Sequence, residues 1–140
     1  MNDIYEIEQT LIRYTLACDR RDWSLLESVF LPDVVANYGG EYRLQGREKL
    51  QRMIRNFLDH CGPTQHLLGN FRVTIDGDSA TSACYVRAAH AGLGEKKSLL
   101  YEVWGEYCDE LVRTGEGWRI RERKMKIFHE TGPRDMLQRP

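Results

Sequence analysis

Three ionisable side chains in this sequence, Asp19, His66 and His90, are of types that together could perform acid–base chemistry. Asp19 lies one helical turn after Thr15 and two turns after Leu11, at the margin of the apolar stripe of a predicted helix. An ionised carboxylate at such a margin is costly unless it is paired. A histidine is a natural partner, because the carboxylate fixes the imidazole tautomer and stabilises its cation, as in hydrolytic triads.

Side-chain alternation along two predicted strands assigns both histidines to the interior. His66 shares a face with Leu68 and Asn70, and His90 shares an apolar face with Ala88. Each residue also has an ordinary interpretation, since a carboxylate near a helix end can be a cap and a strand histidine can be packed in the core. Alternation alone leaves open the choice between these interpretations and a catalytic pair.

Other reaction types are disfavoured by the spacing of the candidate residues. Asp19, His66 and His90 could form a facial metal triad, but their spacing matches no known metal motif. No GxSxG nucleophile elbow occurs. The glycines at 39–40 and 92–94 do not lie between a strand and a helix, as those of phosphate loops do. We therefore expect neither a metal nor an organic cofactor.

The helices that position these residues follow from hydrophobic periodicity. Apolar residues recur at three- and four-residue steps from Ile4 to Cys18 and predict a first helix, with Tyr14 near the margin of its stripe opposite Asp19. A second helix is predicted over residues 22–30. A third is predicted over residues 46–61, where the Gly-Pro pair at 62–63 ends it.

A meander of strands is predicted to follow the helices. Residues 34–38 and 42–44 are predicted to form a small hairpin in which Tyr42 begins the second strand. Longer strands are predicted over residues 65–75, 80–90, 99–112 and 118–128, separated by glycine-containing turn signals. Helices followed by antiparallel strands are typical of an α+β fold. We predict a single domain over residues 1–130 and a C-terminal tail over residues 131–140.

Composition narrows the class of protein. A chain of 140 residues suits one domain, and its 20 basic and 21 acidic side chains argue against nucleic-acid binding. No apolar stretch approaches the roughly 20 residues that span a bilayer, and the acidic N-terminus does not resemble a signal peptide. The 4 cysteines are dispersed, as is typical of reduced cysteines. We therefore expect a cytoplasmic protein without a membrane partner.

Several runs in the chain resemble the SnoaL-like branch of the nuclear transport factor 2 (NTF2-like) superfamily. They are the run from Leu16 to Trp23, the Pro-Thr-Gln-His run ending at His66, the Asp-Gly-Asp turn at 76–78 and the Gly-Trp-Arg-Ile run from Gly117. The resemblance extends from about Tyr5 to Met125. It implies an NTF2-like cone, with three N-terminal helices packed on a strongly curved, mostly antiparallel sheet that encloses one pocket.

The resemblance also implies roles for the candidate residues. Asp19 and His66 resemble the Asp–His dyad of scytalone dehydratase, hexachlorocyclohexane dehydrochlorinase and bile-acid 7α-dehydratase, in which the histidine removes a proton and the aspartate orients it. Tyr14 lies where bile-acid dehydratases carry a tyrosine. Tyr38 and His90 lie near the positions of a pocket tyrosine and a second histidine in scytalone dehydratase.

A basic residue of the last strand, Arg123, resembles the arginine of hexachlorocyclohexane dehydrochlorinase and bile-acid 7α-dehydratase. A bulge near Glu122 would change which arginine of this strand faces inward. With Tyr14, Tyr38 and His90, Arg123 completes the predicted substrate-binding set.

These comparisons lead to a functional prediction. We expect a cofactor-independent, dehydratase-like lyase that acts on a small hydrophobic cyclic or aromatic molecule. One alternative is an isomerase or polyketide cyclase that uses the same base. The other is a non-catalytic small-molecule binder or accessory subunit. Leu67, Phe71, Val73 and Tyr85 are assigned to an apolar outer sheet face, which predicts a homo-oligomer, with a trimer favoured over a dimer.

Overall fold

The computed structural model describes residues 2–41 and 43–137, beginning with helix α1 over Asp3–Asp19. The side chain of Asn2 caps this helix by accepting the backbone N–H of Ile4 at 3.0 Å. Ile7 and Cys18 are fully buried on the face that packs against the sheet. The first helix therefore forms where periodicity predicted it, and Asp19 is its last residue.

The segment predicted as a second helix over residues 22–30 is shorter and tighter in the structure. It is a 3₁₀ helix over Trp23–Ser28, and Phe30 already belongs to the first strand. Arg21, with a φ of 53°, turns the chain sharply after α1. The short stretch that remains before the strand suits the i→i+3 bonding of a 3₁₀ helix, which rarely extends further.

Helix α2 spans Arg47–Leu58, within the range predicted for the third helix. Leu50, Ile54 and Leu58 recur every four residues along it and are buried against the core. Among the described residues, neither helix is long and apolar enough to cross a bilayer.

Six strands form one curved, open sheet in the order β2-β1-β6-β5-β4-β3. Their bounds are β1 (Phe30–Tyr38), β2 (Leu44–Gln45), β3 (Thr64–Asp76), β4 (Ser79–Ala91), β5 (Leu100–Thr114) and β6 (Gly117–Thr131). Strands β1 and β6 are parallel, and every other neighbouring pair is antiparallel. The predicted hairpin corresponds to β1 and β2, although Tyr42 lies outside the described residues. The fold is α+β, as predicted.

A bulge in β3 changes which side chains face the core. The pairing of β3 with β4 shifts between Gly69 and Arg72, and Asn70 has a φ of 53°. Asn70 is consequently exposed instead of sharing the face of His66. Phe71 and Val73 pack against the core, so their assignment to the outer face was wrong. The extra residue reverses the alternation that the sequence pattern assumed.

A second bulge lies on β6 beside Glu122. Leu111 of β5 pairs with Ile120, whereas the preceding Glu110 pairs with Glu122. One extra residue on β6 therefore turns Arg123 inward, and its side chain is completely buried.

The C-terminal segment is not a free tail over its described part. Gly132, with a φ of +95°, folds the chain against Leu100, and residues Arg134–Leu137 form a 3₁₀ helix. Met136 and Leu137 are buried with relative exposures of 2% and 4%. Burial of these two apolar side chains holds the segment against the body of the domain. Residues 138–140 of the predicted tail lie outside the described residues.

Candidate active site

The structure brings together Asp19, at the end of α1, and His66, near the start of β3. Oδ1 of Asp19 lies 2.7 Å from Nδ1 of His66. The two side chains are 19% and 7% exposed, so the bond is largely shielded from water. Because Nδ1 faces a carboxylate, we assign the ring hydrogen to Nδ1, which leaves Nε2 with its lone pair.

The carboxylate of Asp19 is fixed by two further donors. Oδ2 accepts the backbone N–H of His66 at 2.9 Å, and Oδ1 accepts the hydroxyl of Thr64 at 2.9 Å. Burial raises the pKa of the Asp19 carboxyl, but the hydrogen bonds from His66 and Thr64 outweigh burial and lower it below its usual 3.8. Asp19 is therefore ionised at neutral pH.

Thr64 is itself held by Arg21, a residue that the sequence analysis did not single out. Nη1 of Arg21 donates to the Thr64 hydroxyl at 2.8 Å and to the carbonyl of Cys18 at 2.7 Å, and Nη2 donates to the carbonyl of Gly62 at 2.7 Å. This arginine joins the end of α1 to the start of β3. Thr64 shares a strand face with His66, two residues away, which is the pattern that could have identified it.

His90 of β4 lies beside His66, with 5.7 Å between the ring centroids. Its Nδ1 donates to the backbone carbonyl of Tyr101 at 3.1 Å, which leaves Nε2 as an acceptor. Burial, followed by the charge of His66, lowers the pKa of His90 to about 4. His90 is therefore neutral at physiological pH and can accept a hydrogen bond through Nε2, but it cannot act as an acid there.

Two tyrosines form a hydrogen-bonded pair across the same interior. The hydroxyl of Tyr38 donates to that of Tyr14 at 2.8 Å, and Nη1 of Arg123 approaches Tyr38 at 3.4 Å. Burial raises the pKa of Tyr14 well above its usual 10.0 and also raises that of Tyr38. Both hydroxyls therefore stay protonated and can serve as donors.

Arg123 lies one layer behind these tyrosines. It makes a bidentate ion pair with Asp109 at 2.8 Å and 2.9 Å, and both side chains are completely buried. Its guanidinium also stacks on Tyr107 at 4.0 Å and on Tyr14 at 4.4 Å. Arg123 does not line the cavity, so it is positioned to orient the tyrosines instead of contacting a ligand.

A cavity of about 120 Å³ connects these groups. Tyr14, Tyr38, His66 and His90 line it, so four of the six predicted site residues meet there, with Asp19 behind His66. Most of the remaining wall is apolar, formed by Met53, Phe57, Leu58, Val103, Met125 and Ile127. Arg134 and Leu137 of the C-terminal segment close one side, which the prediction of a tail did not anticipate.

The arrangement suits proton transfer better than metal binding. Within residues 2–41 and 43–137, no group of three or more histidine, cysteine, aspartate or glutamate side chains is placed to hold a metal ion. Nδ1 of His90 is hydrogen-bonded to a backbone carbonyl, and Nδ1 of His66 is hydrogen-bonded to Asp19, so neither nitrogen is available to a metal ion. What remains is one imidazole lone pair backed by a carboxylate, in an apolar cavity with phenol donors.

Sequence comparison places the chain among known relatives. The profile of the SnoaL-like domain family matches residues 1–124. The uncharacterized protein Rv2910c of Mycobacterium tuberculosis (strain ATCC 25618 / H37Rv) is 34% identical over 133 residues, which cover 93% of this chain and 89% of that protein.

Solved structures show the same fold. A candidate aromatic ring hydroxylase of Novosphingobium aromaticivorans is 28% identical with a TM-score of 0.85, covering 97% of this chain and 96% of that one. A candidate scytalone dehydratase of the same organism is 19% identical with a TM-score of 0.83, covering 92% and 86%. A type 2 hexachlorocyclohexane dehydrochlorinase is 17% identical with a TM-score of 0.80, covering 92% and 87%.

Proposed function

This chain belongs to the SnoaL-like domain family of the NTF2-like superfamily, and on that premise we propose that it is a cofactor-independent lyase. The proposed reaction removes a proton and a small leaving group, such as water, from neighbouring carbons of a small hydrophobic ring compound. The observation that carries the proposal is the shielded hydrogen bond of 2.7 Å between Asp19 and His66 at the wall of an apolar cavity.

His66 is the proposed general base. Its Nε2 lone pair takes a proton from the carbon next to an activating carbonyl, and the ionised Asp19 stabilises the imidazolium that forms. The imidazolium then returns that proton to the leaving hydroxyl, so that water departs and His66 is neutral again. Because one imidazole performs both transfers, proton and hydroxyl leave from the same face of the substrate.

Tyr14 is the proposed donor to the substrate carbonyl. Tyr38 donates to the Tyr14 oxygen, so the Tyr14 hydroxyl hydrogen is not used in that bond, and Tyr14 lines the cavity. Negative charge develops on the carbonyl oxygen as the proton leaves carbon, and a buried phenol donor stabilises it more in the transition state than in the ground state. Arg123 supports this donor through Tyr38.

His90 is the proposed positioning group for the substrate. As a neutral imidazole it offers Nε2 as an acceptor, which suits a hydroxyl on the substrate. A hydroxyl held by His90 would lie close to His66, whose imidazolium form protonates that hydroxyl as it leaves.

Cavity size supports a single-ring substrate. The volume of about 120 Å³ is comparable to an engineered apolar cavity of about 150 Å³ that holds benzene. The apolar wall favours a hydrocarbon ring, while polar side chains that include His66, His90, Tyr14 and Tyr38 supply the few contacts that fix its orientation.

An isomerase or cyclase is the second candidate, and one observation favours it. Tyr14 and Tyr38 stay protonated, and a pKa of about 4 makes His90 a weak base, so His66, backed by the ionised Asp19, is the base that the described cavity favours. One base is enough to move a proton between two carbons. The hydrogen bond between Asp19 and His66 is also compatible with a non-catalytic binder, because Asp19 connects α1 to β3 through Thr64 and the His66 backbone.

Exchange of substrate hydrogen in D₂O tests the shared first step. The purified protein is incubated with ring ketones that carry a β-hydroxyl, such as 3-hydroxycyclohexanone, and the α-proton signal is followed by NMR while enone absorbance reports elimination. We expect exchange with the wild type and its loss in His66→Ala. His60→Ala, which removes an imidazole outside the cavity, is the matched control and should behave as the wild type.

The outcomes separate the candidates. Exchange together with enone formation supports the lyase, exchange with a shifted double bond supports the isomerase, and binding without exchange across a broad panel supports the binder. Equal exchange by His66→Ala and the wild type would refute the role of His66 in either enzyme.

A further inference from the structure

The C-terminal 3₁₀ helix contributes one charged residue, Arg134, to the wall of the cavity. Its side chain is 58% exposed, so the guanidinium lies where the cavity meets solvent. Leu137 from the same helix also lines the cavity and is buried. The segment therefore presents an apolar side chain to the interior and a cation to the opening.

Among the described residues, Arg134 is the lining side chain with a permanent charge, and none of the described lining residues is an aspartate or glutamate. The carboxylate of Asp19 lies behind His66 and is already bound by three donors. His90 is neutral because burial lowers its pKa to about 4. The electrostatic character of the opening is consequently set by Arg134 and its immediate neighbours.

One neighbour of Arg134 competes for its guanidinium. Nη1 of Arg134 lies 3.7 Å from Oε1 of Glu130, which is longer than a hydrogen bond, and the pair is exposed enough to be weak. The same oxygen of Glu130 accepts a hydrogen bond from the hydroxyl of Tyr101, which also lines the cavity. Arg134 can therefore exchange this loose partner for a ligand carboxylate that it binds through two parallel N–H donors.

From this arrangement we infer that the substrate carries a carboxylate, which Arg134 holds at the opening while the ring occupies the cavity. The inference rests on the proposed function, since it specifies the class of molecule that the same cavity takes. A cavity of about 120 Å³ has room for a ring and little more, so a charged substituent extends toward the opening. The class is a small cyclic or aromatic carboxylic acid.

Two unreactive probes of equal shape test the inference. Benzoate and benzamide both present a ring with a planar polar group, but only benzoate is charged. Their dissociation constants are measured by NMR titration at pH 8, where an ordinary imidazole is uncharged. We expect the wild type to bind benzoate roughly tenfold tighter than benzamide, as expected for hydrogen bonds to a charged group.

Variants of the two charged neighbours should move this preference in opposite directions. Arg134→Gln should abolish it, and Arg134→Lys should retain part of it because lysine keeps the charge but loses the planar fork. Glu130→Gln should increase it about two- to threefold, because it removes the competing charge of an exposed pair and keeps an acceptor for Tyr101. Arg121→Gln and Glu110→Gln make the same charge changes in an exposed ion pair away from the cavity lining and should leave it unchanged.

Each outcome decides the inference. If the wild type binds benzamide as tightly as benzoate, or if Arg134→Gln keeps the preference, the inference is overturned. The same holds if both matched controls shift the preference as much as the test variants do, since the effect would then be net charge. Probe binding requires no catalysis, so a catalytically indifferent His66→Ala would refute the proposed function and leave this result untouched.

Discussion

Asp19 contacts His66 twice, through the imidazole Nδ1 at 2.7 Å and through the backbone N–H at 2.9 Å. The two contacts use different carboxylate oxygens, so the aspartate is locked in rotation and the ring is locked in one tautomer. A single carboxylate thereby fixes the position of the strand and the protonation pattern of its side chain. The proposed activity depends on this double contact, and the first prediction tests it.

Asp19→Asn should lower the rate of proton abstraction by on the order of 10²–10⁴, the span of a positioned acid or base. The asparagine oxygen can still accept the backbone N–H of His66, which places its NH₂ where Oδ1 faces Thr64 and Nδ1 of His66. That NH₂ would donate to Nδ1 and force the hydrogen onto Nε2. The variant should remain folded. The measurement is the exchange rate in D₂O, with circular dichroism as the control for folding. A folded Asp19→Asn that works at the wild-type rate would exclude the dyad.

Thr64→Val should lower the rate on the order of tenfold, less than Asp19→Asn, because it removes one of three donors to the carboxylate. Valine keeps the shape of threonine but also interrupts the link from Arg21. Thr64→Ser retains the hydroxyl and is the matched control, which should keep most of the activity. A structural role alone would lower stability in both variants without separating their kcat values.

The pKa of His90 predicts how stability depends on pH. The folded value is about 4 and the unfolded value is 6.5, so the unfolded chain binds more protons between these limits. Stability should therefore be fully present above pH 6.5 and fall by roughly 2 kcal/mol from this group as the pH drops to 4.5. Asp19, whose pKa is lowered, contributes a loss only at lower pH, below its usual 3.8.

Urea denaturation of the wild type and of His90→Gln at pH 7.5 and 4.5 checks this prediction. The difference in unfolding free energy between the two pH values should be smaller in the variant, because glutamine does not titrate. Identical pH dependence in both proteins would show that His90 is not the responsible group.

Asp109→Asn should destabilise the domain by about 3–5 kcal/mol, because it leaves the Arg123 charge buried without a counter-ion. Burial lowers the pKa of Arg123, but the Asp109 charge outweighs burial and raises that pKa well above the ordinary arginine value, so the arginine stays charged. The double variant Asp109→Leu with Arg123→Met should be much closer to the wild type, because it removes both charges. Thermal and urea unfolding measure the stability of both variants. A double variant that loses as much stability as Asp109→Asn would contradict the prediction.

The outer face of the sheet predicts self-association, with a trimer favoured over a dimer. Leu67, Tyr85 and Phe128 are 57%, 47% and 55% exposed, and with Trp104 they border a depression of about 490 Å³. Light scattering at micromolar concentration should report a multiple of 16.4 kDa. Leu67→Lys should shift the mass toward the monomer, whereas Leu93→Lys, at an equally exposed leucine outside this depression, should not. A wild-type monomer would contradict the prediction.

Much of the fold could be predicted because its signals are local. The 3.6-residue period of α1 and the alternation along β4 reflect which side chains must leave water, and these periods depend only on near neighbours in the chain. Asp19 was recognised as needing a partner because it lies at the margin of a buried stripe, and His66 lies on the strand face that turns toward it. Resemblance to the family supplied the pairing that periodicity left open.

The bulges could not be predicted from alternation, because a bulge is set by the pairing of two strands and not by either strand alone. The extra residue at Asn70 is the reason that Phe71 and Val73 face the core instead of solvent. The same principle explains Arg123, whose inward direction depends on the irregular pairing between Glu110 and Leu111.

By itself, the sequence determined the α+β class, the position of α1 and the chemical types available to the site, because those follow from short-range periodicity and composition. Only the tertiary structure decided the protonation states and supporting contacts, since they depend on burial and on groups far apart in the chain. Arg21 reaches Thr64 across 43 positions, and His90 stays neutral because the fold excludes water around it. Arg134, assigned to a tail by its glycine and proline neighbours, lines the cavity because Met136 and Leu137 anchor that segment by burial.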